Sequence, residues 1–143
     1  MRVVGLDLGS RRIGVAVSDP SGVLASPRTV VGRSRDHARD HRAIAAIVDE
    51  VGAEAVVVGM PLSLDGRWGP AARLVQAEID ELAAVLTVPV VSHDERLTTV
   101  SADRILIGAG LKAPERRQVV DQVAAAVLLQ SWLDGREQPG ETP

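Results

Sequence analysis

The feature that most constrains the fold of this chain is a carboxylate inside an apolar run near its start. Residues 3–8 read VVGLDL, an apolar run of strand length that is typical of a strand buried on both faces. Asp7 lies within that run, and burial strips a lone ionised carboxylate of its hydration at a high cost in free energy. Asp7 must therefore be hydrogen-bonded, paired with a cation, protonated or bound to a metal ion. Two interpretations stay open at this point: a metal- or phosphate-binding group at the sheet centre, or an Asp satisfied by a neighbouring Arg or by turn amides.

A hairpin is predicted directly after this strand. Gly9 begins a short polar turn, and residues 13–17 then place apolar side chains at alternate positions. A third strand is predicted over residues 22–31, with Pro27 placing it near an edge of the sheet because proline cannot donate a hydrogen bond to a neighbouring strand. The first part of the chain therefore predicts three consecutive antiparallel strands.

The rest of the chain alternates between helical and strand patterns. The predicted elements, in order, are a helix over 43–51, a strand over 55–59, a loop over 60–69, a helix over 70–86, a strand over 88–92, a helix over 97–107, a loop over 108–113 and a helix over 114–133. With the first three strands, this order predicts an α/β fold: a mixed five-stranded sheet, its first three strands antiparallel, flanked by helices on both faces. We expect one domain over residues 1–134 and a disordered tail over 135–143.

The composition excludes several classes of protein. The chain has 143 residues and no cysteine, which excludes disulfide frameworks and Cys-based zinc sites. It contains two Trp and no Phe or Tyr, too few aromatic side chains for a platform on which several bases stack. The net charge of -3 argues against a large non-specific grip on nucleic acid. The start does not have the pattern of a signal peptide, and the apolar runs are shorter than a membrane span, so we expect a cytoplasmic protein.

Further acidic residues occur in apolar surroundings. Asp94 and Glu95 directly follow a predicted strand, so at least one of them is expected near the sheet edge where Asp7 lies. Asp121 lies in a helix that is apolar almost all round, where Arg117, four residues earlier, or a helix N-terminus would be a structural partner. Clustered carboxylates repel one another unless cations lie between them, and Mg²⁺ prefers oxygen ligands of this kind. Two such ions about 3.5–4 Å apart can stabilise both the attacking and the leaving oxygen of a phosphodiester displacement.

Four stretches of the chain together resemble the YqgF/RuvX family of small bacterial proteins. They are residues 5–19 (GLDLGSRRIGVAVSD), 58–66 (VGMPLSLDG), 93–99 (HDERLTT) and 120–127 (VDQVAAAV). The resemblance covers about residues 2–134 and implies an RNase H-like fold and a metal-dependent endonuclease. It favours processing of the 5′ end of pre-16S rRNA in ribosome biogenesis, with resolution of Holliday junctions in DNA recombination and repair as the alternative.

The resemblance also implies which residues form the site. Asp7, Glu95 and Asp121 match the family's metal-binding catalytic acids, with Asp7 bridging two Mg²⁺ or Mn²⁺ ions. Basic residues close to these acids in the sequence are expected to bind the phosphates of a nucleic acid, and a solvent-exposed charge is the alternative interpretation of each one alone. They are Arg11, Arg12, Arg96, Lys112, Arg116 and Arg117. The chain offers little for a strong dimer interface, so we expect a monomer or a weak homodimer that does not bind membranes.

Two other function classes fit parts of the sequence. Residues 7–19 also resemble the first phosphate motif of the actin and sugar-kinase superfamily of ATPases, but those proteins close two such domains over the nucleotide. A non-catalytic nucleic-acid-binding module is the other alternative. The presence of all three acids argues against it.

Several remaining polar and aromatic residues have competing interpretations. His37 and His41 have the spacing of zinc ligands, but no Glu lies where a zinc protease needs it, so a solvated helix start is favoured. His93 is interpreted as a hydrogen-bonding residue at a strand end rather than a proton-transfer group, and Trp68 as packing on Leu74 rather than stacking on a base. Four arginines either extend a nucleic-acid-binding surface or form a solvated face: Arg33, Arg35, Arg39 and Arg42.

Overall fold

The structure is a computed structural model that describes residues 1–63, 65–95 and 113–136. In the last of these segments it describes side chains from residue 122 onward. The helix predicted over 97–107, residues 108–112 of the loop predicted over 108–113, and the tail beyond residue 136 lie outside the described residues. No helix in the described part of the chain is long and apolar enough to cross a membrane.

Five strands form one mixed sheet. They are β1 (Val3–Leu8), β2 (Arg12–Ser18), β3 (Ala25–Gly32), β4 (Ala55–Met60) and β5 (Val90–Asp94). Their order across the sheet is β3-β2-β1-β4-β5. The first three strands pair antiparallel, whereas β4 pairs parallel with both β1 and β5. The predicted sheet is therefore confirmed, with Pro27 on the edge strand β3.

Helices cover both faces of the sheet, because the central strands are apolar on both sides. The helices are α1 (His37–Val51), α2 (Pro70–Val85) and α3 (Ala113–Arg136). On one face, Val4 and Leu6 of β1 share an apolar cluster with α1 and α2. On the other face, Val3 packs with Ala125 and Leu129 of α3. This arrangement confirms the predicted α/β fold and places β1 at the centre of both apolar clusters.

Close packing of α3 on the sheet depends on Gly5. A Cβ on Gly5 would lie 2.8 Å from the Cβ of Leu129 and 3.1 Å from the carbonyl oxygen of Ala125. Cores are packed too densely to absorb such overlaps, so any larger residue would push the helix away from the strand. Glycine at this position therefore sets the distance between α3 and the strand that carries Asp7.

The first helix begins earlier than its apolar pattern predicts, at His37 instead of residue 43. The side chain of Asp36 caps it by accepting a hydrogen bond of 3.0 Å from the N–H of Ala38. The buried apolar positions of the helix begin only at Ile44, so the hydrophobic pattern indicates no more than its C-terminal part. The end at Gly52, which has a φ of 66°, is as predicted.

The buried face of α2 differs from the apolar face that its sequence indicates. Leu74, which the pattern places inward, is 74% exposed, and Trp68, interpreted as packing on it, is itself 49% exposed. The buried residues of the helix are Ala72, Val75, Glu78, Ile79 and Leu82. An acidic residue that sequence reasoning did not single out, Glu78, therefore lies in the middle of the core-facing surface.

The last helix continues to Arg136, so the first two residues of the segment predicted as a tail are helical. The guanidinium carbon of Arg136 lies 4.7 Å from the centre of the Trp132 ring, a cation–π contact at the helix end. The division into a domain and a disordered tail stays a prediction.

We predict that Gly5→Ala destabilises the protein by about 1–3 kcal/mol, because the added methyl group overpacks the contact with α3. The matched control is Gly32→Ala on β3, where a Cβ would meet nothing within 4 Å. Urea denaturation of the two variants measures the difference. Equal stabilities of Gly5→Ala and Gly32→Ala would contradict the packing of α3 on β1.

Candidate active site

Asp7 lies near the C-terminal end of β1 and is half-buried. Alternation along the strand puts Asp7 on the same face as Gly5, the face that α3 covers. Its partner on β2 is Gly14, which adds no side chain beside it. On the other side, the parallel register of β1 and β4 brings Gly59 level with Asp7. Both neighbouring strands therefore leave room around this carboxylate.

Glu95 follows β5 and places its carboxylate over the neighbouring strand β4. Its N–H donates a hydrogen bond of 3.3 Å to the carbonyl oxygen of Met60. Its Oε2 lies 2.5 Å from the position that a Cβ on Gly59 would occupy. Any larger residue at position 59 would force this carboxylate out, so glycine creates the space that Glu95 fills.

Asp7 and Glu95 line one cleft of about 600 Å³ at the C-terminal edge of the parallel strands. Its other lining residues include Arg33, His37 and Glu78. The carboxyl ends of parallel strands are where ligands bind in open α/β sheets. The structure therefore brings together two of the three acids that the sequence identifies.

The electrostatic environment of Glu95 disfavours its charged form. Burial, together with the negative charges of Asp7 and Asp94, raises the pKa of Glu95 to about 7. A bound cation would reverse both effects, because it replaces lost hydration and screens the repulsion between the acids. The local potential thus favours a divalent cation.

The turn after β1 is tightly packed against its own backbone. The N–H of Gly9 donates a hydrogen bond of 3.1 Å to the carbonyl oxygen of Asp7. A Cβ on Gly9 would lie 2.6 Å from the carbonyl oxygen of Arg12. The Nε of Arg33 donates to the Gly9 carbonyl oxygen at 3.0 Å, and the backbone N–H of Arg33 donates to the carbonyl oxygen of Arg11 at 2.9 Å. These bonds connect the turn to the end of β3.

Glu78 of α2 is the centre of a buried hydrogen-bond network. Arg33 Nη1 lies 2.6 Å from Glu78 Oε2, and Arg33 Nη2 lies 2.7 Å from Glu78 Oε1. The Nε2 of His41 lies 2.7 Å from Glu78 Oε2. Burial by itself would raise the pKa of Glu78, but the hydrogen bonds from Arg33 and His41 outweigh it and hold that pKa below its usual value. Glu78 is therefore a charged, fully paired carboxylate.

This network corrects two interpretations of the sequence. His41 is only 2% exposed, so the solvated helix start is wrong for this residue, although it fits the exposed His37. Arg33 is paired inside the protein, whereas Arg35, Arg39 and Arg42 are outside this network. The sequence does not reveal the partner of Arg33 and His41, because that partner, Glu78, lies on another helix, α2. Its one sequence signal is an acid within the apolar stripe of α2.

One group of side chains in the described part of the chain has the geometry of a metal site. Ligand atoms of His37, His41 and Glu78 all lie within 4.8 Å of one another. The Nδ1 of His37 also lies 3.1 Å from Glu81 Oε2. This group is separate from the acids predicted as ligands, and both oxygens of its carboxylate are already bonded to Arg33.

The predicted basic residues are described only in part. Arg11 is exposed in the turn after β1, and Arg12 begins β2 and is half-buried. Arg96 and Lys112 lie outside the described residues. Arg116, Arg117 and Asp121 belong to α3, but their side chains lie outside the described part of that helix. Their roles stay predictions.

His93 forms the hydrogen bond that the sequence interpretation favours. Its Nε2 lies 3.0 Å from the Oγ of Ser131 on α3, so it joins β5 to that helix. Burial lowers the pKa of His93, and the charge of Asp94 offsets only part of this effect. A histidine in this state is a neutral structural partner at neutral pH.

The mixed sheet with three antiparallel strands first, and with acids at the carboxyl ends of β1 and β5, defines an RNase H-like fold. Solved structures agree with this class. The chain superposes on the structure of T. thermophilus RuvC in complex with a Holliday junction substrate, with a TM-score of 0.59 and 19% identity, over 99% of this chain and 98% of that one. A second Thermus thermophilus RuvC structure gives a TM-score of 0.54 and 18% identity over 95% and 96% of the two chains.

Sequence comparison is more specific than the fold. The family model described as "RuvX: Holliday junction resolvase" matches residues 1–135. A protein of Desulforudis audaxviator named "Putative pre-16S rRNA nuclease" is 44% identical over 137 residues, which are 96% of each chain. A protein of Mycolicibacterium paratuberculosis with the same name is 50% identical over 136 residues, covering 94% of this chain and 81% of that one. The chain therefore belongs to the RuvX family of nucleases, which confirms the resemblance found in its sequence.

We predict that Glu95→Gln stabilises the metal-free protein at pH 8 but not at pH 4. The pKa of Glu95 is raised in the folded state, so its contribution destabilises the fold increasingly as the pH rises from the unfolded pKa of 4.5 to about 7. Because part of the Glu95 carboxyl is in contact with water, we expect the free energy of unfolding at pH 8 to rise by about 1–2 kcal/mol in Glu95→Gln. Thermal unfolding in the presence of a chelator at both pH values measures it.

The matched control for this prediction is Glu54→Gln, which changes an exposed glutamate. It should leave the pH dependence of the melting temperature unchanged. If Glu95→Gln shifts the melting temperature equally at pH 4 and pH 8, the raised pKa of Glu95 is wrong.

Proposed function

We propose that the protein is a divalent-metal-dependent endonuclease that hydrolyses phosphodiester bonds, with Asp7, Glu95 and Asp121 as its metal ligands. The observation that supports this most is the placement of Asp7 and Glu95 in one cleft, where burial and mutual repulsion raise the pKa of Glu95. Two acids arranged in this way repel each other, and a cation between them turns that repulsion into attraction.

The donor set fits Mg²⁺ or Mn²⁺. Carboxylate oxygens are hard ligands, and the space over Gly59 is filled by a carboxylate where any other residue would place its Cβ. When bound, a pair of such ions would activate a water molecule and stabilise the charge on the leaving oxygen. In this proposal Asp7, Glu95 and Asp121 would hold these ions.

The backbone of α3 supports a place for Asp121 in this site. Asp121 lies one helical turn before Ala125, whose carbonyl oxygen packs against Gly5. The contacts of α3 run from Met1 beside Arg136 to Gly5 beside Ala125 and Leu129, so the helix runs antiparallel to β1. The turn that contains Asp121 therefore continues toward the end of β1 where Asp7 lies.

The remaining attraction for a polyanion comes from basic residues around the cleft. Arg11 is exposed in the turn directly after Asp7 and is the described residue best placed to contact a phosphate. We assign the same role to Arg12, Arg96, Lys112, Arg116 and Arg117. These contacts position the substrate, and the acids hold the ions that act on it.

We propose precursor 16S rRNA as the substrate, processed at its 5′ end in the cytoplasm. The names of the curated relatives support pre-16S rRNA as the substrate. The family description and the RuvC complex support a four-way DNA junction as the second candidate. Symmetric cutting of a junction requires two sites related by a dimer axis. We expect a monomer or a weak dimer, which favours the RNA.

We predict that Asp7→Asn abolishes cleavage, with a loss of at least about 100-fold, because the amide keeps the shape of the side chain but not the charge that holds the ions. Purified protein is incubated with a 5′-extended 16S rRNA precursor and with a four-way DNA junction, each with Mg²⁺, Mn²⁺ or chelator. Asp80→Asn, an exposed change on α2, is the control for the removal of one carboxylate.

Undiminished Mg²⁺-dependent cleavage by Asp7→Asn would contradict the site assignment. A tight dimer that cuts junctions symmetrically and ignores the RNA would reverse the choice of substrate.

We predict that Arg116→Ala with Arg117→Ala weakens nucleic-acid binding across all sequences and makes its salt dependence shallower, by a slope of about one for each phosphate that the protein no longer neutralises. Binding isotherms at several salt concentrations, with a catalytically inactive background, measure the slope. Arg39→Ala with Arg42→Ala on α1 removes the same charge from an exposed surface and should change the slope less. If Arg117 is instead a structural partner of Asp121, the melting temperature falls and the slope stays the same.

A further inference from the structure

We propose that Arg33, Glu78 and His41 are positioning residues for the candidate active site. They hold the turn after β1, and through it Asp7, in the geometry that binds divalent cations. This inference rests on the proposed function, because it takes Asp7 to be a metal ligand. None of the three side chains is expected to touch the ions or the substrate.

Arg33 is bonded to both ends of the turn. Its Nε donates to the carbonyl oxygen of Gly9 at 3.0 Å, and its backbone N–H donates to the carbonyl oxygen of Arg11 at 2.9 Å. The N–H of Gly9 in turn donates to the carbonyl oxygen of Asp7 at 3.1 Å. Only one residue therefore separates the Arg33 contact from the backbone of Asp7. A shift of that contact would move the carboxylate.

Glu78 fixes the orientation of the Arg33 guanidinium. Both terminal nitrogens are paired with the two carboxylate oxygens, at 2.6 and 2.7 Å, while Nε is left to face Gly9. A planar, two-point contact of this kind sets direction as well as distance. The side chains of Arg33 and Glu78 are 13% and 7% exposed, so water does not compete for the contact.

Other buried groups hold the same segment. The Nε2 of His41, a residue that is 2% exposed, lies 2.7 Å from Glu78 Oε2 and anchors that carboxylate to α1. Next to Arg33, Ser34 gives two hydrogen bonds to Asp40 Oδ1, one of 3.0 Å from its N–H and one of 2.7 Å from its hydroxyl. Two helices therefore fix the short segment that reaches the turn after β1.

Stability alone does not account for this network. A buried ion pair contributes little net stability compared with apolar side chains of similar size, because both charges lose their hydration. Its benefit lies in the direction that it imposes on the groups it bonds. Here the bonded group is the turn that follows Asp7, in the cleft shared by Arg33, Glu78 and both acids.

A metal ion held by His37, His41 and Glu78 is the competing explanation for the cluster, since their ligand atoms lie within 4.8 Å of one another. The guanidinium of Arg33 argues against it. It occupies both oxygens of Glu78, and its positive charge repels a divalent cation at that carboxylate. A metal ion would have to displace Arg33 from Glu78, whereas the positioning role leaves these hydrogen bonds in place.

The test replaces the ion pair with an apolar pair, Arg33→Met with Glu78→Leu, and compares it with Arg33→Lys, which keeps the charge but not the guanidinium fork. The matched control is Arg28→Met with Glu50→Leu. This second pair also joins β3 to a helix, at 3.2 Å, but it is 38% and 66% exposed. Three quantities are measured: amide hydrogen exchange at Gly9 in metal-free protein, the Kd for Mn²⁺ by electron paramagnetic resonance, and kcat and KM for cleavage.

The apolar pair should stay folded, with a melting temperature lowered only by the loss of the hydrogen bonds to His41 and Gly9, while Gly9 exchanges about 10-fold faster. Its Mn²⁺ affinity and kcat should fall about 10- to 100-fold, as when groups that orient metal ligands are removed, and KM should stay the same. Arg33→Lys should show the same pattern to a smaller extent. The control pair should match the wild type in all three quantities.

Unchanged Gly9 exchange and Mn²⁺ affinity in a folded apolar variant would overturn the proposal and leave the network a purely structural role. Tight Zn²⁺ binding by the wild type that His37→Ala abolishes would overturn it too, in favour of a metal site. If the proposed function itself is wrong, the experiment gives a different set of results. In that case the wild type cuts neither substrate and Asp7→Asn leaves the Mn²⁺ affinity unchanged, while the exchange at Gly9 still decides whether the network holds the turn.

Discussion

The placement of two half-buried acids, Asp7 and Glu95, in one cleft is the constraint around which the candidate site is arranged. Two half-buried acids in one cleft disfavour each other's charge, and here the pKa of Glu95 is raised to about 7, with burial as the largest cause. Such an arrangement is kept only where the surrounding fold imposes it. The fold does so through its sheet. Asp7 is fixed by the central strand, and Glu95 reaches over Gly59, the position on β4 where its carboxylate fits.

Strand order converts this local chemistry into a site. Because β4 lies between β1 and β5 and is parallel to both, all three strands end at the same edge. The acids after β1 and β5 therefore meet across one strand, although 88 positions of sequence number separate residues 7 and 95. Gly5 completes the arrangement, because it lets α3 approach the strand that carries Asp7. The backbone of Asp121 then lies one turn beyond that contact.

The sheet and the acids were predictable from the sequence because their signals are local. An apolar run with one acid, a hairpin turn and alternating α and β patterns suffice to predict the mixed five-stranded sheet and to single out Asp7 and the pair Asp94 and Glu95. The family resemblance, not the local pattern, selects Glu95 from that pair. The network around Glu78 was not predictable, since Arg33 and His41 meet it only in the folded chain, from 45 and 37 positions away. The helix pattern of α2 misled for the same reason. It placed Leu74 inward, whereas the core accepts the acid of Glu78 because Arg33 and His41 are its hydrogen-bond partners.

The pairing of Arg33 also bears on how one cleft is lined by both acids and an arginine. An arginine that lines the same cavity as two repelling carboxylates would otherwise be drawn to them and would occupy the place of a divalent cation. Glu78 prevents this, because it takes both terminal nitrogens of the guanidinium and leaves only Nε for the Gly9 carbonyl. Among the described residues, the charges that raise the pKa of Glu95 are those of Asp7 and Asp94. Glu78 on α2 thus preserves the negative potential around Asp7 and Glu95. Arg33, which Glu78 holds, keeps the turn after β1 in place.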